Sequence, residues 1–234
     1  MLYKIKKRAT DFRNTHGYSN GEPIHLEGIL LKLNVITVFK PLSADFAGMV
    51  VKVNEKKFML INSNHTIGEQ NFSMGHELYH LYYDTDFTPH TSSLGSFDKR
   101  SPEYYADNFA AYLLLPDDGL LNLIPDNELK GNKIALLTIL KIEHYFKCSR
   151  TALLFRLKEL NLINNALFKE YSQDIELKAR QYGYSTTLYK SGNEHEIIGD
   201  FGAKSRGLFE QGKISETHYL TLLNSIGIDL LHDT

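Results

Sequence analysis

Residues His76, Glu77 and His80 fall in the run Gly75-His76-Glu77-Leu78-Tyr79-His80-Leu81, the pattern H-E-x-x-H. Side chains four apart project from one face of a helix, so His76 and His80 can aim two imidazole nitrogens at a single point. Two such nitrogens suit a zinc ion. Glu77 adjoins the first histidine without standing on the ligand line, where a carboxylate can take a proton from a metal-activated water.

Catalytic zinc uses three protein ligands and keeps one open position, so a third ligand is needed. The stretch Ser101-Pro102-Glu103 through Leu115-Pro116 reads as a second helix, opened by Ser-Pro and stopped by a proline. Glu103 and Asp107 share one face of it, and Ala106, Ala110, Leu113 and Leu114 form an apolar side that can pack on the first helix. Glu103 is the preferred third ligand, with Asp107 holding the outer nitrogen of a zinc-bound histidine; the reverse assignment is open. Glu103 could also simply complement the helix dipole from the first turn. The extended pattern H-E-x-x-H-x-x-G-x-x-H would put its glycine at Tyr83 and its last ligand at Asp86, and a tyrosine in the sharp turn argues against it. Asp84 and His90 are weaker candidates as ligands.

Both motifs together resemble the ImmA/IrrE family of metallopeptidases, which has a phenylalanine-rich lead into H-E-L-x-H and a downstream E-x-x-A-N/D-x-F-A-x-x-L-L-x-P. Here the second motif runs from Glu103 to Pro116, and the resemblance covers roughly residues 23 to 163. It implies a zinc endopeptidase acting on a helix-turn-helix repressor of a mobile element or stress response. No repressor-type DNA-binding domain is evident at the amino-terminal end, so the partner would be a separate protein.

The elements that must position these residues follow from periodicity. A helix is expected over residues 3–15, with Leu2, Ile5, Ala9 and Phe12 on its apolar side and Lys4, Lys7, Arg8 and Arg13 on a solvated face. A turn-rich stretch, 17–23, precedes a helix opened by Pro23 and ended near Asn34. Three short β-branched runs, 35–39, 48–53 and 57–61, read as a small sheet whose last two strands form a hairpin. The zinc helix is expected to begin near 65–69. The fold class is therefore α+β, a small mixed sheet packed on zinc-site helices. Residues 1–130 are read as a zincin-like core, 131–165 as a helix-turn-helix-like segment, and 166–234 as a small carboxy-terminal region.

Between the two site helices, residues 84–100 are polar and turn-like. His90 within them could stabilise an oxyanion or touch substrate, or simply be solvated. Tyr79, Tyr82, Tyr83, Tyr104, Tyr105 and Tyr112 are candidates for core packing, and at most one need serve the reaction. In the later segment, helices near 132–146 and 151–160 flank the turn Lys147-Cys148-Ser149-Arg150, with Ser149 as N-cap. Arg150, Arg156 and Lys158 make a DNA-reading unit conceivable, but Glu143 and Glu159 dilute the charge and favour helix packing. A polar helix near 167–182 and a last one from Ser215 to Ile226 complete the chain.

Composition limits the function classes. A formal net charge of −2 over 234 residues gives no global drive toward nucleic acid. One cysteine, Cys148, excludes an internal disulfide and any cysteine-based zinc site, and fits a reducing compartment. No apolar run has the length of a signal peptide or membrane span, so a cytoplasmic protein without membrane contact is expected. Two other classes stay open: a DNA-binding regulator using residues 134–160 around a structural zinc site, and an anti-repressor that displaces its partner without proteolysis.

Overall fold

A computed structural model of the chain describes residues 2–84, 101–131 and 133–228. The first helix, α1 (Leu2–Thr15), buries Ile5, Ala9 and Phe12 at helical spacing, as expected. Arg13, expected on the solvated face, is fully buried beside them. Its guanidinium donates to the carbonyls of Leu113 (2.5 Å), Ser19 (2.5 Å) and Glu22, so a fork of donors meets carbonyls that would otherwise be unsatisfied. The second helix, α2 (Leu26–Lys32), opens later than its sequence suggests. Pro23 lies outside it because His25 caps it, Nδ1 accepting the Gly28 N–H at 3.0 Å.

The sheet is built from β1 (Val35–Lys40), β2 (Gly48–Val53), β3 (Lys56–Asn62) and β4 (Ile197–Ile198) in the order β2-β3-β1-β4. The hairpin β2–β3 pairs Gly48 with Ile61, and its tight turn is made by Asn54 at φ 55°. Strand β1 runs parallel to β3 and antiparallel to β4, so the sheet is mixed. Val35, Phe39, Val50, Met59 and Ile61 alternate onto one face and join the main core. Ile36, Val38, Phe58 and Leu60 alternate onto the other, where residues late in the chain cover them.

That cover consists of α11 (Phe201–Glu210), α12 (Glu216–Asn224) and the turn that follows it, which set Phe201, Tyr219, Leu223 and Ile226 against the outer face. Strand β4 and an isolated bridge between Thr66 and Ser191 tie the same stretch to the sheet and to the start of the next helix.

Helix α3 (Ile67–Tyr83) begins with a capping box: Thr66 Oγ1 accepts the Glu69 N–H at 3.3 Å, and Glu69 returns a carboxylate to the Thr66 N–H at 2.9 Å. Helix α4 (Pro102–Leu114) is capped by Ser101, whose hydroxyl accepts the Tyr104 N–H. The two helices cross closely because Gly75 faces Ala110; a Cβ on Gly75 would lie 3.3 Å from that of Ala110. This crossing carries His76 up to Glu103 and Asp107.

Short helices α5 (Asp117–Leu123) and α6 (Asp126–Gly131) lead to α7 (Leu136–Phe146) and α8 (Arg150–Glu159). The turn between α7 and α8 uses Lys147 at φ 52°, and Ser149 caps α8 as expected. Helices α9 (Asn165–Tyr171) and α10 (Ile175–Gln181) replace the single helix expected there, interrupted where Asp174 takes φ 53°.

The two arginines of α8 do not face solvent, whereas Lys158 is exposed. Arg150 is 2 % exposed and meets the fully buried Glu143 of α7 at 2.5 Å. Arg156, also 2 % exposed, joins Asp117 and Glu159 and stacks 4.6 Å over Tyr112. Breaking a buried pair strands the surviving charge, so Glu143→Leu should destabilise the protein by about 3–5 kcal/mol. Adding Arg150→Met should restore most of that loss, and urea midpoints of the single and double variants measure the coupling.

Candidate metal centre

Helix α3 presents His76 and His80 on its α4-facing side, and both are buried. Their Nε2 atoms lie 3.2 Å apart, and Glu103 sets one carboxylate oxygen 3.1 Å from His76 Nε2 and the other 3.4 Å from His80 Nε2. Donors placed tetrahedrally around zinc at about 2.0–2.2 Å stand roughly 3.3–3.6 Å from one another. The spacing of this triangle therefore fits three ligands of one small cation. His76, His80 and Glu103 together offer three donor atoms all within 4.8 Å of one another.

The outer nitrogens explain why the inner ones converge. His76 Nδ1 lies 2.9 Å from Asp107 Oδ1, and His80 Nδ1 lies 3.0 Å from Asp84 Oδ2. A carboxylate accepts, so each Nδ1 carries a proton, and each Nε2, when deprotonated, turns a lone pair inward. Two lone pairs and a carboxylate facing one point repel unless positive charge lies between them. The donor set thus fits a divalent metal with nitrogen and oxygen preference, zinc included.

The same field acts on protons. Burial opposes charge on His76, but its hydrogen bonds to Asp107 and Glu103 and the nearby charges of Glu77 and Asp107 outweigh burial and raise it to about 10. Below that value a proton occupies the place of the metal, and a ligand must be deprotonated to bind. Apparent metal affinity should therefore rise with pH through the neutral range, by about tenfold per pH unit for one displaced proton. Zinc titrations at successive pH values test this; a flat profile would show that no ligand proton is displaced.

Glu77 is 1 % exposed and leans against the start of β2. A Cβ at Gly48 would stand 3.1 Å from Glu77 Oε1, 3.3 Å from its Cγ and 3.2 Å from the Leu60 carbonyl oxygen. The strand thus leaves out one side chain where the carboxylate is seated. Gly48→Val should keep the metal but displace Glu77, lowering any activity that depends on it by about 10²-fold. Metal content measured beside turnover separates that effect from loss of the site.

The structure brings His76, Glu77, His80, Glu103 and Asp107 together. His90 and Asp86 lie outside the described residues. The hydroxyls of Tyr79 and Tyr83 meet Arg8, and that of Tyr112 donates to Glu159, so these three serve packing between helices. Asp84, weighed in the sequence only as a ligand, instead holds the outer nitrogen of His80; its position four residues beyond His80 is the signal for that contact. Gly48 carries no sequence signal, because its neighbour Glu77 is distant in the chain. No helix among the described residues is long and apolar enough to cross a membrane.

Residues 32–158, more than half of the chain, match the family model Peptidase_M78, described as the IrrE N-terminal-like domain. No curated protein matches the chain.

Proposed function

The chain belongs to the Peptidase_M78 family of IrrE N-terminal-like domains, whose membership supports a metallopeptidase-like function, and from that premise we propose a zinc-dependent endopeptidase cutting one specific protein. The observation that carries the reading is the inward convergence of His76, His80 and Glu103, with Glu77 beside them on the same helix. His76, His80 and Glu103 hold the metal, and Asp107 and Asp84 keep the two imidazoles in the tautomer that binds it. Zinc, when bound, supplies a Lewis acid for the peptide carbonyl and lowers the pKa of a bound water to about 7. Glu77 takes the proton of the attacking water and passes it to the departing amine.

The sheet gives the substrate a place to lie. β2 is at one end of the strand order among the described residues and packs beside α3, so an extended peptide can pair with its outer edge next to Glu77. The substrate is a helix-turn-helix repressor in the cytoplasm, a reading that rests on the resemblance of the two motifs to the ImmA/IrrE family. Burial of Arg150 and Arg156 in ion pairs works against direct DNA reading by α8, since phosphate contacts need accessible cations.

Incubating the zinc-loaded protein with candidate repressors and weighing the products by mass spectrometry tests the reading. Two fragments whose masses sum to the intact repressor plus one water are expected. Release of an uncut repressor from its operator would instead favour displacement without proteolysis.

A further inference from the structure

Beside the metal cluster runs a groove of about 650 Å³ bounded by α3, α4, α8 and the start of α1 at Leu2. Its apolar lining comes from Phe72 on α3, Ala111 on α4, and Ala152 and Phe155 on α8. Phe155 is 59 % exposed, an unusual position for a large apolar ring, and it is braced edge-on by Phe168 at 5.1 Å. The ring is therefore held ready at the groove wall.

Charge among the described residues that line the groove is mostly negative, with the exposed Lys158 lying beyond it over Phe168. Among the described residues, Glu69, Asp107 and Glu159 border the groove with a single cation, Arg156. That guanidinium is only 2 % exposed and already joined to Asp117 and Glu159, whereas the Glu159 side chain is 42 % exposed. The net charge of the described lining is thus negative around an apolar floor, with Glu159 its most exposed acid. Two of its walls are helix faces lined at i, i+3, i+4 and i+7 spacing, Tyr104-Asp107-Asn108-Ala111 and Ala152-Phe155-Arg156-Glu159, a shape that receives a third helix. Asp107 also links the groove to the cluster, 2.9 Å from His76 Nδ1.

We propose that this groove docks an amphipathic helix of the substrate protein, one with an apolar face flanked by lysines or arginines, and so holds the substrate while a separate segment is cut. The proposal rests on the peptidase reading for its purpose but not for its binding. A substrate lacking such a helix would reach the metal only through edge pairing, so the groove confers selectivity on an otherwise sequence-tolerant site.

The probe is a fluorescein-labelled synthetic peptide with leucines at helical a, d and e positions and lysines elsewhere, beside a counterpart with every lysine replaced by glutamate. Anisotropy against the full-length Glu77→Gln protein should show binding of the lysine peptide at least about tenfold tighter than the glutamate peptide. Phe155→Asp, and independently Thr151→Lys at the exposed groove edge, should each weaken the lysine peptide by about tenfold or more. Equal binding of the two peptides, or no loss in either variant, overturns the proposal. Sedimentation that shows a dimer dispersed by Phe155→Asp also overturns it, by assigning the groove to a second copy of the chain.

Failure of the groove and failure of the peptidase reading are separable. Lysine-peptide binding that persists in His80→Ala supports the groove without any cleavage chemistry. A repressor cut by Phe155→Asp at the wild-type rate overturns the groove and leaves the peptidase reading standing.

Discussion

Glu77→Gln should keep about one zinc per chain and lose cleavage by at least about 10²–10⁴-fold, the range attributed to a positioned proton-transfer group. Glutamine matches glutamate in size, so it fits the same space against Gly48 and Leu60 without disturbing α3. It differs in the one respect that matters to the proposed chemistry, since a neutral amide cannot accept the proton of the attacking water. Glu77 is also outside the three-donor cluster, so its loss should leave the metal in place. Glu77→Asp, one methylene shorter, keeps a base but withdraws it from the reacting atoms and should fall between the two. The decisive readout is single-turnover cleavage measured beside elemental analysis. Activity at the wild-type level in Glu77→Gln would sink the mechanism, and metal lost together with activity would make Glu77 a ligand rather than a base.

Much of this site was legible because its parts are local in sequence. His76 and His80 are one helical turn apart, Glu103 and Asp107 another, and both helices carry their own caps and stops. The α+β class followed from three β-branched runs between helical patterns, and the mixed sheet agrees with it. Features set by tertiary contact were not legible. β4 has only two residues, too few for an alternation to show, and exists because β1 offers it an edge. Arg13 read as surface charge, and for Arg150 and Arg156 helix packing was favoured without their partners, since nothing in a linear pattern reveals which carbonyls or carboxylates from other elements wait to receive them. The helix-turn-helix-like spacing of α7 and α8 was correct in outline, while two of the three basic residues that would have given it a DNA-reading surface, Arg150 and Arg156, turn inward.

That inward turn has a counterpart around the metal cluster. A cluster with acids at positions 77, 84, 103 and 107 around two buried histidines concentrates negative charge in a poorly hydrated space. Such an arrangement is unfavourable by itself and becomes favourable when a cation is supplied, which couples metal binding to the stability of α3 against α4.

Graded metal loss is therefore expected from substitutions at this cluster. His80→Ala and Glu103→Ala each remove one of three donors and should leave no zinc after gel filtration into metal-free buffer. Asp107→Ala and Asp84→Ala keep all three donors but free an imidazole to rotate or change tautomer, and should weaken binding by about 10–100-fold while allowing occupancy at high zinc. Thermal stability should report the same order, because a ligand held at 100 times its Kd contributes about 2.7 kcal/mol to the folded state. The wild type should thus melt higher with zinc than after chelation, the two aspartate variants should show this shift only at raised zinc, and His80→Ala should show none. This comparison also decides between the two carboxylates left open by the sequence. If Asp107→Ala abolished binding and Glu103→Ala merely weakened it, the assignment would reverse, against a geometry in which Glu103 faces both Nε2 atoms and Asp107 faces only an outer Nδ1.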